Sequence, residues 1–454
     1  MAYHPIVSSV CGWCLCLTGL LILISGAAGD RQTPWNILSV KLLGSGVVGP
    51  DVGQYTQSEW VNGSLLVVFH DLGNRSLVAL RCGDMQCSQS SATYNVIDGP
   101  SSTQEDVGRW LKMTLGADGL PIIAYYDSGS PYVLKLAHCL SDDCGKVVVT
   151  VVSSAAGYYP SVTIGENRFP LIAYWKMDAG LCVVHCLDNH CARREERLIV
   201  RGYTVYPSIV AHPRSATVIA YYNTTAGFNL SAVHGNLAVA SCMEDPSCQK
   251  GAVSTTSLDM TEEDVGRYTF TSSGPDGLPL IVYEAGSAGQ LRFAHCAKNG
   301  CVGGSSTISV IDHIGTRCPK APLPWGCGIY PQTKVPAEGG MAAVVYYNAI
   351  DGDERGAIKI AAINCSAAGR CSGASVMEVA RGGPGFGRDP SVSFADTNVT
   401  YVSFLEYSAV KRMRARLAVL EGPKLDPYKG REGMVTHRDF NMAHAPQRLD
   451  LGAS

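Results

Sequence analysis

The stretch that decides the fold is DVGRWLKMTLGADGLPIIAYYD at residues 106–127, followed by LKLAHC at 134–139 and CGKVVVTVVSS at 144–154. A near-duplicate starts at Glu263, where EDVGRYTF, GPDGLPLIVYE, LRFAHC and STISVID follow in the same order. Related blocks recur about seven times at a spacing of roughly 47–63 residues, the signature of a stacked or radial array. In such arrays neighbouring units complete one another's core.

Each unit divides into four short β-strands separated by Gly, Asp and Pro turns. In the copy quoted first, we expect them at Trp110–Leu115, Pro121–Tyr126, Val133–Cys139 and Val147–Val152. The second strand carries one aromatic residue per unit, and these residues count seven units: Phe69, Tyr125, Tyr174, Tyr221, Tyr283, Tyr346 and Phe404. Seven four-stranded units predict an all-β fold, a seven-bladed β-propeller.

The two ends of the repeat region complement each other. The last unit has a third strand at Arg416–Leu420 but neither a cysteine pair nor a fourth strand. The segment Asn36–Leu42, NILSVKL, precedes the first unit and resembles fourth strands such as STISVID. We expect it to pair with Arg416–Leu420 and close the ring, whereas the alternative, an open solenoid, would leave a three-stranded unit. The propeller is therefore predicted over residues 30–420, with a polar tail at 421–454.

The first 29 residues resemble a secretory signal peptide, since the apolar run CLCLTGLLILI ends in the small residues SGAAG. No Lys or Arg precedes that run, so an uncleaved N-terminal anchor is the alternative. No other stretch approaches the roughly 20 apolar residues that a membrane span requires, and we expect none in the mature chain. The predicted location is extracellular.

Cysteine usage agrees with export. Six pairs stand at one place in the repeat with four or five residues between them, which predicts disulfides across hairpin tips. We also predict a seventh disulfide, which leaves Cys182 as the odd thiol, partly exposed and able to link two molecules in a dimer. Zinc is the alternative, but pairs in different units do not readily converge on one ion. The predicted disulfides are Cys82–Cys87, Cys139–Cys144, Cys186–Cys191, Cys242–Cys248, Cys296–Cys301, Cys365–Cys371 and Cys318–Cys327.

Two further patterns concern the surface. A net charge of −3 gives no electrostatic reason to expect nucleic acid as a partner. Glycosylation is predicted at the sequons of Asn62, Asn74, Asn223, Asn229, Asn364 and Asn398.

At the start of strand one, most units carry Gly-x-aromatic or a close variant. In a propeller, strand one is innermost, so we expect these residues around one mouth of the central channel. Aromatic faces there could stack on sugars, or they could simply wedge neighbouring blades apart. The ligand-binding candidates of this type are Tyr55, Trp110, Tyr159, Tyr206, Tyr268 and Tyr330.

The residues that break this pattern are the stronger candidates for a specific site. The seventh unit has Asp389 at the aromatic position, and three arginines stand directly beside the series: Arg109, Arg267 and Arg388. Arginines at a channel mouth would suit a carboxylate or a sulfate.

We predict no metal and no cofactor. The histidines of the A-H-C strings share their register with Arg81, Ser241 and Asn364, which indicates a solvated hairpin end. The loop near Asp351 lacks the further ligands that calcium needs. No G-x-S-x-G or similar catalytic signature occurs.

Over nearly its whole mature length the chain resembles secreted propeller-repeat proteins with DGLPxIxYYD…LKxAHC units, a pattern present at 118–139 and 276–296. That resemblance implies the fold and no activity. Two hypotheses therefore remain. The first is an extracellular recognition protein that binds a glycan or a protein partner at the mouth. The second is a carbohydrate-active enzyme, a hydrolase or a lyase on acidic sugars, with a tyrosine, His70 or Asp389 in proton transfer.

Overall fold

The computed structural model describes the propeller region with short gaps. The described residues are 34–43, 51–88, 90–129, 132–154, 157–212, 216–224, 234–261, 264–298, 300–302, 306–314, 329–336, 340–350, 355–365, 371–383, 385–395, 398–407 and 412–422. The predicted signal peptide, nearly all of the polar tail, the Cys318–Cys327 pair, Asn229 and the loop near Asp351 lie outside them.

Among these residues, 28 antiparallel strands form seven four-stranded sheets arranged as a β-propeller, which confirms the predicted fold class. The first three blades contain β2 (Val52–Val61), β3 (Ser64–Asp71), β4 (Ser76–Arg81) and β5 (Thr93–Asp98); β6 (Val107–Leu115), β7 (Pro121–Asp127), β8 (Val133–Cys139) and β9 (Val147–Ser153); and β10 (Gly157–Ile164), β11 (Pro170–Lys176), β12 (Gly180–Cys186) and β13 (Arg194–Arg201).

The next blades follow the same order from the innermost to the outermost strand. Blades 4 to 6 contain β14 (Tyr203–Ala211), β15 (Thr217–Thr224), β16 (Gly235–Cys242) and β17 (Val253–Asp259); β18 (Val265–Ser273), β19 (Pro279–Ala285), β20 (Gln290–Cys296) and β21 (Ser306–His313); and β22 (Gln332–Lys334), β23 (Met341–Ile350), β24 (Arg355–Cys365) and β25 (Cys371–Gly382). No helix among the described residues is long and apolar enough to cross a membrane.

The seventh blade is completed by the N-terminal strand, as predicted. It contains β26 (Arg388–Phe394), β27 (Val399–Tyr407) and β28 (Met413–Glu421), and its outermost strand is β1 (Asn36–Leu42). In the β1–β28 ladder, Leu42 pairs with Arg416 and Ile37 with Leu420. Just before β1, the buried Trp35 donates its indole N–H to Thr400 Oγ1 at 3.1 Å. The first and last segments of the ring thus stabilise each other.

The hydrophobic core lies between neighbouring sheets. One cluster, for example, joins Leu66 and Val68 of blade 1 to Ile123 and Ala137 of blade 2. Successive residues of strand two point to opposite faces of the blade, so each sheet contributes side chains to the two core layers on either side of it. No blade can bury its apolar faces alone, and this is why the repeat must close on itself.

A polar contact repeats beside this core. The Tyr125 hydroxyl donates to Asp98 of the preceding blade at 2.7 Å, and Lys135 Nζ contacts the same carboxylate at 3.1 Å. Tyr283 with Arg292 contacts Asp259, and Tyr346 with Lys359 contacts Asp312, in the same way. The recurring strand-four Asp and strand-two Tyr therefore join adjacent blades.

Cys182 of blade 3 occupies the position that Lys135 has in blade 2, and blade 3 lacks this contact with an Asp. The preceding blade ends strand four with Ser153 in place of Asp, and its hydroxyl accepts the Tyr174 hydroxyl at 3.0 Å. The Tyr174 hydroxyl also contacts Glu196 Oε1 at 2.8 Å, and the small thiol of Cys182 packs in the same hydrophobic cluster as Tyr174. Cys182 is 1% exposed, so the predicted partial exposure is wrong. An intermolecular disulfide through Cys182 would require this core to open.

All six hairpin disulfides are present at the predicted pairs. The expectation that the residue before the clamp is solvated is wrong for His138 and His295, which are 2% and 1% exposed. His138 Nε2 lies 2.9 Å from Asp118 Oδ2, and His295 Nε2 lies 3.1 Å from Asp276 Oδ1. The A-H-C histidine thus binds the Asp of its own Asp-Gly turn, and this explains why both motifs occur together.

Candidate functional site

The Gly-x-aromatic motif forms a β-bulge at the start of strand one. In blade 5, Gly266 has φ +105°, and a Cβ there would lie 2.6 Å from the Leu237 backbone of the preceding blade. Only glycine fits both that conformation and that close approach. Two residues later, Tyr268 has φ +52°. The bulge re-aims this side chain, since it shifts the register of β18 against β19 at this point.

The same left-handed conformation occurs at the equivalent residue of all seven blades, with φ between 38° and 56°. We call these seven residues the mouth ring: Tyr55, Trp110, Tyr159, Tyr206, Tyr268, Tyr330 and Asp389. A bulky aromatic residue with positive φ is a genuine outlier. This backbone conformation suits Gly or Asn better than an aromatic residue. The contacts of the aromatic side chains must therefore offset its cost.

The six aromatic side chains of the mouth ring form a continuous series. Ring centroids are 4.7 Å apart between Trp110 and Tyr159, 4.6 Å between Tyr159 and Tyr206, and 4.5 Å between Tyr206 and Tyr268. Tyr268 and Tyr330 are again 4.5 Å apart, and Tyr55 lies 6.4 Å from Trp110. All six are tilted against one another and half-buried. The structure therefore brings the predicted aromatic residues together around one channel mouth.

Asp389 closes the mouth ring between Tyr330 and Tyr55. Its Oδ2 accepts the backbone N–H of Tyr55 at 3.1 Å, and its backbone oxygen accepts Thr56 Oγ1 at 2.6 Å. Burial raises the pKa of the Asp389 carboxyl, although the Tyr55 N–H and the neighbouring cations Arg388 and Lys112 oppose that rise. The seventh position of the mouth ring is thus a hydrogen-bond acceptor, Asp389, among six aromatic side chains.

Side chains cross the channel below the mouth ring. The ammonium of Lys112, on the innermost strand of blade 2, lies 4.8 Å from the ring centroid of Phe270 on blade 5. Burial lowers the pKa of Lys112 to about 8, and the charge of Asp389 opposes that shift. Farther along the innermost strands of two other blades, Lys334 of blade 6 forms an ion pair with Glu59 of blade 1. Since neither pair belongs to adjacent blades, both contacts span the channel and the mouth has a floor.

Two of the three predicted arginines are paired with aspartates of their own motif. Arg109 Nε donates to Asp106 Oδ2 at 2.6 Å, and the other Asp106 oxygen lies 2.6 Å from His70 Nε2. Burial opposes the ionisation of Asp106, but His70 and Arg109 lower the pKa of its carboxyl below the usual value. His70, a candidate for proton transfer in the enzyme hypothesis, is fully buried and also contacts Gln54, so its imidazole is not exposed at the channel mouth.

Blade 5 repeats this arrangement with different neighbours. Arg267 Nε donates to Asp264 Oδ1 at 2.8 Å, and the Tyr222 hydroxyl donates to the same oxygen at 2.8 Å. Glu284 pairs with Arg267 across the β18–β19 ladder, and its buried Oε2 accepts no hydrogen bond from a described residue. Burial raises the pKa of Glu284 to about 7, Arg267 opposes the rise and Asp264 adds to it.

The third arginine is placed differently. Arg388 is 5% exposed, and its guanidinium lies 5.2 Å from the ring centroid of Tyr347 in blade 6. All three predicted arginines therefore lie near the mouth, but each is engaged within the protein. The Asp-x-x-Arg spacing of DVGR was a usable sequence signal for the first two pairs.

Sequence reasoning missed an aromatic group beside the mouth ring on blades 2 and 3. Tyr126 and Tyr158 stack at 4.9 Å, and both lie close to Trp110, at 5.0 Å and 5.4 Å. Tyr132, which is 49% exposed, stacks on Tyr126 at 6.1 Å. These side chains extend the aromatic surface outward from the channel. Glu284 and Lys112 were missed as well, because nothing in their local sequence distinguishes them.

The disulfide-clamped face carries a separate cleft between blades 3 and 4. It is lined by His185, Glu195, Glu244, Asp245 and Lys250. Asp245 is occupied by the backbone N–H groups of its own hairpin. Among the described residues, no group of three His, Cys, Asp or Glu side chains is arranged to hold a metal ion.

No protein-family model matches this chain, and no curated protein matches it. Solved structures do match at low identity. A protein of unknown function from Dyadobacter fermentans is 12% identical, with a TM-score of 0.46, over 86% of this chain and 99% of that one. An α-L-arabinanase from Penicillium chrysogenum is 15% identical, with a TM-score of 0.42, over 72% and 93%. The NanB sialidase from Streptococcus pneumoniae is 11% identical, with a TM-score of 0.45, over 87% and 71%. Similarity at this distance carries no information about the activity of this chain.

Proposed function

We propose that this protein is a secreted extracellular recognition protein that binds a glycan at the mouth ring. The observation that carries the proposal is the continuous series of six aromatic side chains, each on a left-handed residue, around a channel mouth with a floor. Aromatic faces with polar groups between them suit the apolar faces and hydroxyls of sugars. Six hairpin disulfides and the signal-like N-terminus support secretion.

A glycan array probed with the protein secreted from eukaryotic cells tests the proposal. Tyr159→Ala and Tyr206→Ala should each weaken binding of any array hit by about 1 kcal/mol or more, because a stacking face is lost. Trp60→Ala is the matched control, since Trp60 stacks on Tyr401 at the opposite end of strand one. Thermal melts identify variants that fail to fold. Folded ring variants that bind glycans like the parent would contradict the proposal, and an empty array would favour a protein partner.

The second candidate function is a carbohydrate-active enzyme, a glycoside hydrolase or a polysaccharide lyase. Glu284 favours it, because a carboxyl with a pKa of about 7 beside Arg267 is suited to proton transfer. Reducing-sugar and unsaturated-product assays on glycans from the array test it. The enzyme hypothesis requires turnover by the parent and loss of turnover, with retained binding, in Glu284→Gln. Binding without turnover in the parent would contradict it.

A further inference from the structure

The residue two positions after the mouth ring differs between blades. Two residues after the mouth ring, three blades carry a serine whose hydroxyl accepts a backbone N–H of the next innermost strand. Ser161 accepts Ile209 N at 3.1 Å, Ser208 accepts Thr271 N at 2.8 Å, and Ser391 accepts Ser58 N at 2.9 Å. These contacts join neighbouring blades. Blade 2 has Lys112 at this position, and its side chain crosses the channel instead.

Lys112 and Asp389 each retain capacity for a ligand. The Lys112 ammonium contacts the face of Phe270 and no hydrogen-bond acceptor among the described residues. Asp389 uses Oδ2 for the Tyr55 N–H, while Oδ1 accepts no hydrogen bond from a described residue and is not buried. The two side chains are close enough for each charge to shift the pKa of the other. A strong donor and a strong acceptor therefore both line the mouth, since Lys112 stands two residues after Trp110 and Asp389 is bound to the backbone of Tyr55.

The other charges at the mouth do not form a free anion site. Arg109 is held by Asp106 and Arg267 by Asp264, both through hydrogen bonds of 2.6–2.8 Å. Arg388 is buried against the ring of Tyr347, and Lys334 is paired with Glu59. Lys112 has no such ion pair among the described residues, and the charge of Asp389 acts on it. A carboxylated or sulfated sugar would meet Asp389 on entering, and like charges brought together in a partly buried site repel each other.

We propose that the mouth binds an uncharged sugar residue, with its ring face on the aromatic side chains and its hydroxyls on Lys112 Nζ and Asp389 Oδ1. A hydroxyl both donates and accepts, so a neighbouring pair of hydroxyls satisfies the ammonium and the carboxylate together. This inference rests on the proposed glycan-binding function and adds the ligand class. It replaces the expectation of an acidic sugar that the arginines suggested.

The test compares uncharged glycans with their uronic, sialylated and sulfated counterparts at two salt concentrations. We expect hits among the uncharged glycans and little change in affinity with salt, since no net ion pair forms. Lys112→Gln and Asp389→Asn should each weaken binding about tenfold or more, because hydrogen bonds to charged groups are lost. Glutamine stands at the equivalent positions Gln57 and Gln332, so the first variant should fold. Lys146→Met, at an exposed residue of the same blade, is the matched control.

Preference for acidic glycans, or affinity that falls steeply with salt, would overturn the ligand class and leave glycan binding in place. Uncharged hits that Lys112→Gln and Asp389→Asn bind like the parent would remove both residues from the site. An array without hits would refute the proposed function itself, and with it this inference. Loss of binding in Lys146→Met as well would point to a general effect on the fold and overturn the assignment to the floor.

Discussion

Removal of the Trp35 indole tests ring closure. Its side chain is 3% exposed in the cluster that joins blades 6 and 7, and it lies one residue before β1. Trp→Ala in a packed core costs about 3–5 kcal/mol. Loss of the hydrogen bond to Thr400 adds about 1 kcal/mol. The substitution removes both the packing and the hydrogen bond. We therefore expect Trp35→Ala to lower the free energy of unfolding by about 4–6 kcal/mol, the sum of the two losses.

Leu38→Ala is the matched control, because Leu38 lies in β1 and is 52% exposed. It should change stability by less than about 0.5 kcal/mol. Urea unfolding with the disulfides intact, followed by tryptophan fluorescence and far-UV circular dichroism, measures both variants against the parent. If Trp35→Ala unfolds at the same urea concentration as Leu38→Ala, the N-terminal segment does not hold the ring closed, and the closure argument fails.

Three further predictions concern the core and the mouth. Asp98→Asn should lower the free energy of unfolding, measured in a urea melt, by about 2 kcal/mol. Tyr125 and Lys135 both lose a buried carboxylate partner, although Lys135 keeps its contact with Asp127. An unchanged melt would contradict this. The pKa of Glu284 is raised to about 7 in the folded protein. Between about pH 5 and 8 the folded protein therefore binds more protons than the unfolded chain, and its free energy of unfolding should fall as the pH rises through this range. Glu284→Gln should lack that decline, and parallel pH profiles of the two proteins would be inconsistent with it. Cys182, whose burial raises its thiol pKa to about 11, should react with a thiol reagent only after denaturation, and rapid labelling of the native protein would show otherwise.

Much of the architecture was predictable because its causes are local in the sequence. Alternating apolar runs between Asp-Gly turns define the strands, and the regular cysteine spacing defines the hairpin clamps. The missing fourth strand of the last unit was sufficient to predict where Asn36–Leu42 pairs. The aromatic series at the mouth followed from the repeat alone, since residues at equivalent positions of a ring must lie at the same height.

The contacts within the mouth were not predictable in the same way. The sequence analysis placed Arg109 and Arg267 at the mouth but did not predict their partners. These are Asp106 and Asp264, each of which stands three residues before its arginine. Cys182 is buried because it packs in a cluster that includes Leu136 and Val152 of the preceding blade. In each case the partner is set by which side chains the bulge and the blade packing bring together.

The sequence by itself determined the number of blades, their strand order, the six hairpin disulfides and the segment that closes the ring. The blades, strands and disulfides follow from periodicity, turn residues and spacing, which act between residues close in the chain. The closing segment follows from the fourth strand that the last unit lacks. Only the tertiary structure decided that Lys112 meets Phe270 across the channel and that Asp389 accepts the backbone N–H of Tyr55. Such contacts join residues far apart in the chain, and their existence depends on channel width and side-chain direction. Both are properties of the closed ring that no single repeat contains.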